Sequence, residues 1–195
     1  VHRVMMDQGK LREIYVTVDF NGDFVESVGE LSTPALEKRF LDLGVQLDEG
    51  DRTEVNLGIG PMISEAIGAL QRGFLLTIDY GHLARILYSP ERFGGTIRCY
   101  YKHTLNANPY QRVGLQDISV HVEFNTLIEA GEKAGLHTHG FTTQRDFLMN
   151  LGLDAFLDAI ERPDVPANKR MSNRIGMQKL IELDGLGAFM VLIQG

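Results

Sequence analysis

One stretch limits what this chain can become: Gly73-Phe74-Leu75-Leu76-Thr77-Ile78-Asp79-Tyr80-Gly81. From Phe74 to Ile78 nearly every side chain is apolar, β-branched or aromatic, and glycine bounds the run on both sides. This is the pattern of a strand buried on both faces. A strand of that kind needs covering layers above and below, so the chain is expected to build an α/β sheet around it. Asp79, Tyr80 and Gly81 then fall at the carboxyl edge of the strand, where open α/β sheets bind their ligands.

The surrounding composition excludes several functions. The net charge is −7, and Lys169, Arg170 and Arg174 are too few and too mixed to form a nucleic-acid surface, so no nucleic-acid partner is expected. The apolar runs 74–78 and 188–193 fall far short of the roughly 20 residues needed to span a bilayer, and nothing at the start resembles a targeting segment. No membrane partner is expected, and the compartment reads as cytoplasmic. The one cysteine, Cys99, permits no internal disulfide and sits in strand-like sequence, where it reads as a small packing residue.

In chain order, alternation from Ile14 to Phe20 predicts a half-exposed strand with Ile14, Val16, Val18 and Phe20 on one face. Asn21-Gly22 predicts a tight type I′ turn, with Phe24 to Val28 returning as the partner strand. Thr33-Pro34 opens a helix burying Leu36, Phe40 and Leu43 and ending at Gly44. A short strand over 53–57 precedes a second helix from Pro61 that carries Met62, Ile63, Ala66, Ile67 and Leu70 inward and closes at Gly73. A long irregular segment follows Gly81, with a strand at 96–101 and a turn at 106–109. Further on come a helix over 124–134, a strand over 136–142, and a helix opened by the Thr143-Gln144-Arg145-Asp146 capping box that buries Phe147, Leu148 and Leu151. Another helix carries Phe156, Leu157 and Ile160. Asp164 to Gly176 reads as a polar loop with a partial helix, and 189–193 as a buried strand.

Several constellations carry chemistry on paper. Gly58-Ile59-Gly60 before a helix could present amides to a phosphate, but the third glycine of the dinucleotide fingerprint is absent, position 63 being Ile. His137 and His139 share a face if their segment is a strand and could bind zinc with a third ligand, which is the basis of a metal-dependent hydrolase reading. Asp117, Ser119 and His121 also share a face, yet residues two apart on a strand point in parallel, which a hydrolase triad cannot use. The strongest group is Asp79 with Tyr80, followed by Arg98, Tyr101 and His103 on the long loop.

Four blocks together resemble the MidA-like family of S-adenosylmethionine-dependent methyltransferases: Gly73 to Gly81, Gly95 to His103, Gly114 to Phe124, and Thr143 to Leu148 with Gly152-Leu153, in family order. Val1-His2-Arg3-Val4 looks like the continuation of the family's Asp-Ala-Leu-Pro motif, and Gly176-Met177 resembles its late Met-Gly block in reversed order. The resemblance implies a class I, Rossmann-like methyltransferase sheet, present as its carboxyl-terminal half. Residues 73–78 would be the fifth strand, 136–142 the sixth and 189–193 the seventh, so that 73–195 form the half-sheet and 1–72 an inserted ribbon with helices. It implies S-adenosyl-L-methionine as the cofactor of the intact parent, with the cofactor's glycine loop upstream of Val1.

By the same resemblance the reaction would be methylation of a protein arginine. The family's eukaryotic members are mitochondrial assembly factors for respiratory complex I, which would place a eukaryotic member in the matrix. Asp79 and Tyr80 would be catalytic, with Gly81, His82, Arg98, Tyr101, His103, Asp117 and His121 binding the protein substrate. The cofactor-binding residues would lie outside the chain, no metal is expected, and homodimerisation stays open. The rival from another class is a non-catalytic interaction module that binds a partner protein through the insertion and the loop from Tyr88 to His103.

Overall fold

The structure is a computed structural model that describes residues 1–160 and 166–195. It opens with three strands, β1 (His2–Asp7), β2 (Lys10–Val18) and β3 (Phe24–Gly29), then helix α1 (Ala35–Leu43), strand β4 (Arg52–Val55) and helix α2 (Ile59–Gly68). The apolar run becomes β5 (Leu75–Asp79), followed by the two-residue strand β6 (Gly81–His82) and the one-turn helix α3 (Ala84–Leu87). A small sheet follows, made of β7 (Arg98–Tyr101), β8 (Thr104–Asn106) and β9 (Asp117–Ser119). The last elements are β10 (Val122–Glu123), α4 (Phe124–Lys133), β11 (Thr138–Thr143), α5 (Gln144–Asn150), α6 (Leu153–Ile160), α7 (Ala167–Leu180) and β12 (Met190–Gln194). These form two compact units that interleave along the chain: Val1–Ile63 with His82–Leu127, and Ser64–Gly81 with Ile128–Gly195. Among the described residues no helix is long and apolar enough to cross a membrane.

The first unit rests on a four-stranded antiparallel sheet in the order β3-β2-β1-β4. Val4 and Val55 from that sheet meet Leu36 and Phe40 of α1, and Ala84, Leu87 and Tyr88 complete the core. Phe40 and Tyr88 meet edge to face at 5.2 Å, the arrangement that ring quadrupoles favour. The α1 expectation holds for the helix, its Leu36 and Phe40 stripe and its Gly44 stop, but Pro34 and not Thr33 is the N-cap, and Leu43 is only half-buried. Thr33 Oγ1 accepts from the Ala35 amide, Leu36 and Phe40 are buried, and Gly44 closes the helix in the left-handed region at φ 62°.

The β2–β3 ribbon departs from expectation in two ways. Its loop runs from Asp19 to Asp23 instead of a two-residue turn, because the Asp19 carboxylate accepts from the amides of Asn21 and Asp23 and organises a wider bend. Of the predicted face, only Ile14 is buried; Val16, Val18 and Phe20 are exposed. β1 pairs with β2 only over residues 10–13, so the ribbon beyond Ile14 is two strands wide and alternation alone could not say whether anything covers it.

The second unit holds a three-stranded sheet in the order β11-β12-β5, with β12 antiparallel to both neighbours. Val191 and Leu192 at its centre are buried. β5 itself corrects the opening expectation. Among the described residues it lies at the sheet edge, bonded to β12 alone, and Phe74, Leu76 and Ile78 are 68 %, 49 % and 43 % exposed. Met62 and Ala66 of α2, Leu151 after α5 and Phe156 of α6 are likewise exposed where burial was expected.

The polar stretch read as a loop with a partial helix is helical from Ala167 to Leu180 as α7, with no buried residue. Lys169, Arg170, Met171, Gln178 and Lys179 are intrinsically helix-favouring, but without an apolar stripe the helical period was invisible. Asp164 and Val165, the start of that expected loop, lie outside the described residues.

Candidate functional site

The side chains that converge lie in the first unit, and they are assembled around a buried acid. β4 places Glu54 in the interior, where its Oε2 accepts from the Thr96 amide at 2.7 Å and from Thr96 Oγ1 at 2.9 Å. Gly95 makes this approach possible: its φ is +79°, and a Cβ there would overlap the Glu54 carboxylate. Arg3 Nε stands 3.5 Å from the other carboxylate oxygen, so the buried charge has a cation beside it.

Thr96 in turn accepts from the His121 amide at 3.1 Å, which fixes the chain just before β10. On the other side, Asn125 Oδ1 at the start of α4 accepts from the Ala84 amide at 2.8 Å. Glu123 caps α4 by accepting from the amides of Asn125 and Thr126, and Arg39 pairs with it at 2.8 Å. Two anchored segments therefore present His82 and His121 to each other, with ring centroids 5.5 Å apart at an interplanar angle of 48°.

Arg92 completes the group, donating from a terminal guanidinium nitrogen to His82 Nε2 at 2.7 Å. This places the His82 proton on Nδ1. Burial, and then the Arg92 charge, push the His82 pKa below its usual value. Burial, His82, Arg92 and Arg98 push His121 down to about 4. Both imidazoles are accordingly neutral at neutral pH. The arrangement brings one guanidinium group and two uncharged rings together.

The remaining expected site residues are dispersed. Arg98 and Tyr101 lie three apart on β7 and therefore point to opposite faces. Tyr101 is flanked by cations of its own neighbourhood, Arg112 at 4.7 Å and Lys102 at 5.3 Å from the ring. His103 sits with Lys102 in the two-residue turn between β7 and β8, both at positive φ. Asp117 is exposed on β9. Asp79, Tyr80 and Gly81 belong to the second unit, where Asp79 Oδ1 accepts from the Tyr80 amide at 2.8 Å and the Tyr80 ring meets Phe189 edge to face at 5.5 Å.

His139 bonds the Gly195 carbonyl at 3.2 Å and stacks edge-on with Phe74. Among the described residues no three His, Cys, Asp or Glu are placed to hold a metal. Sequence reasoning did not make Arg92 a site residue, and passed over Glu54 and Thr96 altogether. An acid in a short strand and a threonine after two glycines carry no local signal of mutual contact across 42 residues.

Three comparisons place the chain. Residues 1–142 match the model of a family described as "Putative S-adenosyl-L-methionine-dependent methyltransferase". Among solved structures, a COG1565 superfamily protein from Burkholderia thailandensis bound to S-adenosyl-homocysteine superposes with a TM-score of 0.89 at 31 % identity, over 100 % of this chain and 49 % of that one. A native crystal structure of a COG1565 superfamily protein from the same organism gives a TM-score of 0.89 at 32 % identity, over 99 % of this chain and 51 % of that one. No curated protein matches significantly. The chain thus spans about half the length of the solved structures it matches. With an α/β fold shared over its whole length and a family match over most of it, the chain belongs to the S-adenosyl-L-methionine-dependent methyltransferase family.

Proposed function

We propose that these residues form the acceptor-side portion of an S-adenosyl-L-methionine-dependent methyltransferase about twice this length, which methylates an arginine of a partner protein. The observation that carries the reading is the superposition of the whole chain on half of a protein bound to S-adenosyl-homocysteine. The sheet of the second unit supports it. A last strand running antiparallel between two others, β5 and β11, is the arrangement expected of the fifth, seventh and sixth strands of a class I methyltransferase.

The described residues do not themselves fit the cofactor. The one glycine pair at a helix start, Gly58 and Gly60, follows the antiparallel edge strand β4, and the Gly58 amide is already bonded to Asn56 Oδ1 at 3.0 Å. The amides that would meet the cofactor therefore come, in this reading, from outside these 195 residues.

What this portion supplies is orientation of the acceptor. Asp79, at the end of β5, is a half-buried carboxylate suited to hold a guanidinium by charge-assisted hydrogen bonds, and it already accepts from the Tyr80 amide. The net charge of −7 favours approach of a basic protein segment. A respiratory complex I subunit is the acceptor that the family resemblance suggests, and the exposed apolar ribbon of β2 and β3 is a surface open to a protein partner.

Calorimetric titration of S-adenosylmethionine into the 195-residue chain, and into the same chain extended at its amino end by the native coding sequence, tests this. The extended protein is expected to bind and the 195 residues alone are not. Micromolar binding by the short chain would overturn the division of labour, and no binding by the extended one would overturn the methyltransferase reading. Asp79→Ala in the extended protein is expected to lower methyl transfer to acceptor protein while leaving cofactor binding intact.

A further inference from the structure

We infer that a groove of the first unit, lying between the β1–β2 turn, helix α1 and the segment after α1, is a binding site for a small zwitterion with an apolar body, the chemistry of a short apolar peptide or a free apolar amino acid. The groove has a volume of about 630 Å³. That falls within the range of roughly 300–1,000 Å³ in which most of a small ligand is buried. Its floor is apolar: Phe40 and Leu47 are buried, and Met6, Leu11, Leu31 and Val45 lie half-buried beside them. Leu41 carries the apolar wall up to the mouth, where it is 75 % exposed. An apolar body laid in the groove would remove this surface from water.

The rim carries charge of both signs. Lys10 of β2 and Glu37 of α1 line the same groove, and both are exposed. Among the described residues neither side chain makes a hydrogen bond or an ion pair, with the other or with any third group. Two further acids beside them are engaged: Glu30 pairs with Arg12, and Glu49 accepts from the Gln8 and Gly9 amides at 2.7 and 3.0 Å. The walls are also fixed without a ligand. The Glu49 bonds hold the turn that leads into Lys10, the Met6 amide donates to the Asp51 carbonyl at 3.0 Å, and the Val45 amide donates to the Phe40 carbonyl at 3.1 Å, which ties the segment after α1 back onto the helix. Lys10 suits a carboxylate and Glu37 an ammonium group. A molecule bearing both, with its apolar part on the floor, matches the rim and the floor together. The groove is lined only by residues between Met6 and Leu47, none of which belongs to the candidate site above, so the inference does not depend on methyl transfer.

The test is calorimetric titration of leucyl-leucine, free leucine and N-acetyl-leucyl-leucinamide into the 195-residue chain and into the chain extended at its amino end. Saturable binding of leucyl-leucine is expected in both proteins, with a dissociation constant of about 0.1–1 mM, as the size of the ligand allows. Tighter binding of the dipeptide than of leucine assigns a short peptide, and equal or tighter binding of leucine assigns a free amino acid. The doubly capped dipeptide should bind about 5-fold more weakly or worse, having lost both charges. Lys10→Gln and Glu37→Gln, which change exposed side chains and leave the fold alone, should each weaken binding of leucyl-leucine by about 3-fold, the contribution of one exposed ion pair. With Lys10→Gln, leucyl-leucine and leucyl-leucinamide should bind alike, whereas Lys133→Gln, an equal loss of charge on α4, should change nothing. Three results would overturn the site. One is the absence of saturation up to 10 mM, on the order of ten times the expected constant; another is equal binding of the capped and free dipeptides. The third is binding by the short chain that the extended protein lacks, which would make the rest of the protein the occupant of the groove.

Discussion

Gly131 in α4 offers a test in which two physical effects oppose each other. Replacing a helix-interior glycine by alanine normally stabilises by about 1 kcal/mol, because alanine gives up less backbone entropy on folding. At Gly131 the added Cβ would fall inside contact distance of the Gln194 side-chain amide. Gln194 lies on β12 and is 1 % exposed, and its Nε2 donates to the Ile128 carbonyl at 3.1 Å and to Thr138 Oγ1 at 3.3 Å. Either the side chain stays and the helix shifts, an overpacking cost of about 1–3 kcal/mol, or it swings away and leaves a buried amide unbonded, at about 1–3 kcal/mol. Subtracting the propensity gain leaves a net loss of about 0–2 kcal/mol, a fall in Tm of up to roughly 8 °C for a chain of this size.

Gly176 in α7 is the internal control: a Cβ there meets nothing within 4 Å, so Gly176→Ala should stabilise by about 1 kcal/mol. Urea denaturation followed by circular dichroism should move the two midpoints in opposite directions with unchanged slopes. Gly131→Ala combined with Gln194→Ala should cost at least about 1 kcal/mol less than the sum of the single changes, because the second removes the group the first collides with. If Gly131→Ala stabilises as much as Gly176→Ala does, the packing of α4 on β12 is wrong.

Glu54→Gln should destabilise the chain by about 2–4 kcal/mol in the same assay, since it leaves Arg3 facing a neutral amide in the interior and disturbs the acceptor of two Thr96 bonds; a loss under 0.5 kcal/mol would remove Glu54 as the organiser of the site. Acid should weaken the fold in two legs. His121 is held down to about 4 from 6.5, so the unfolded chain takes up its proton first and stability falls as pH drops from 6.5 to about 4. The full shift corresponds to about 3 kcal/mol, which solvent screening of a half-exposed ring reduces to roughly 1–2. Burial would raise Glu13, but bonds from His2 and Ser32 outweigh it and hold it at about 2, so its contribution is present above 4.5 and is lost between 4.5 and 2. His121→Asn should flatten the upper leg and leave the lower one, and urea midpoints measured from pH 7 to 3 would expose any other pattern. Phe20→Ser should change stability by less than about 0.5 kcal/mol, because Phe20 is 97 % exposed at the tip of the ribbon.

Elements with their own local signals were legible in the sequence. The Thr33-Pro34 start and Gly44 stop of α1, the Thr143 cap that accepts from the Asp146 amide, and the buried β12 could all be read from adjacent residues. What escaped were features whose cause lies far along the chain. The turn at Lys102 and His103 places two non-glycine residues at positive φ, held there by the pairing of Tyr101 with Thr104, and neither residue type announces it. Arg98 and Tyr101 were grouped by proximity in sequence although strand geometry sends them to opposite faces. Arg92 and His82 meet over one turn of α3 and a loop, a closure that only the folded segment specifies.

β5 shows how such a discrepancy can itself carry information. Composition measures the environment a segment was selected for, whereas exposure measures the environment it has in a given set of residues. Phe74, Leu76 and Ile78 are residues of a strand covered on both faces, yet each is substantially open, and the edge of β5 away from β12 has no ladder partner among the described residues. Exposed apolar edge strands are templates for association, and folded proteins blunt them with charges, bulges or proline. From Leu75 to Ile78 this edge has none of these. The larger protein proposed above would cover this edge, in keeping with a chain that spans about half the length of the proteins it superposes on. The open faces of β5 and the lack of a cofactor cradle among the described residues are two observations of different kinds, and both accord with the larger sheet proposed above.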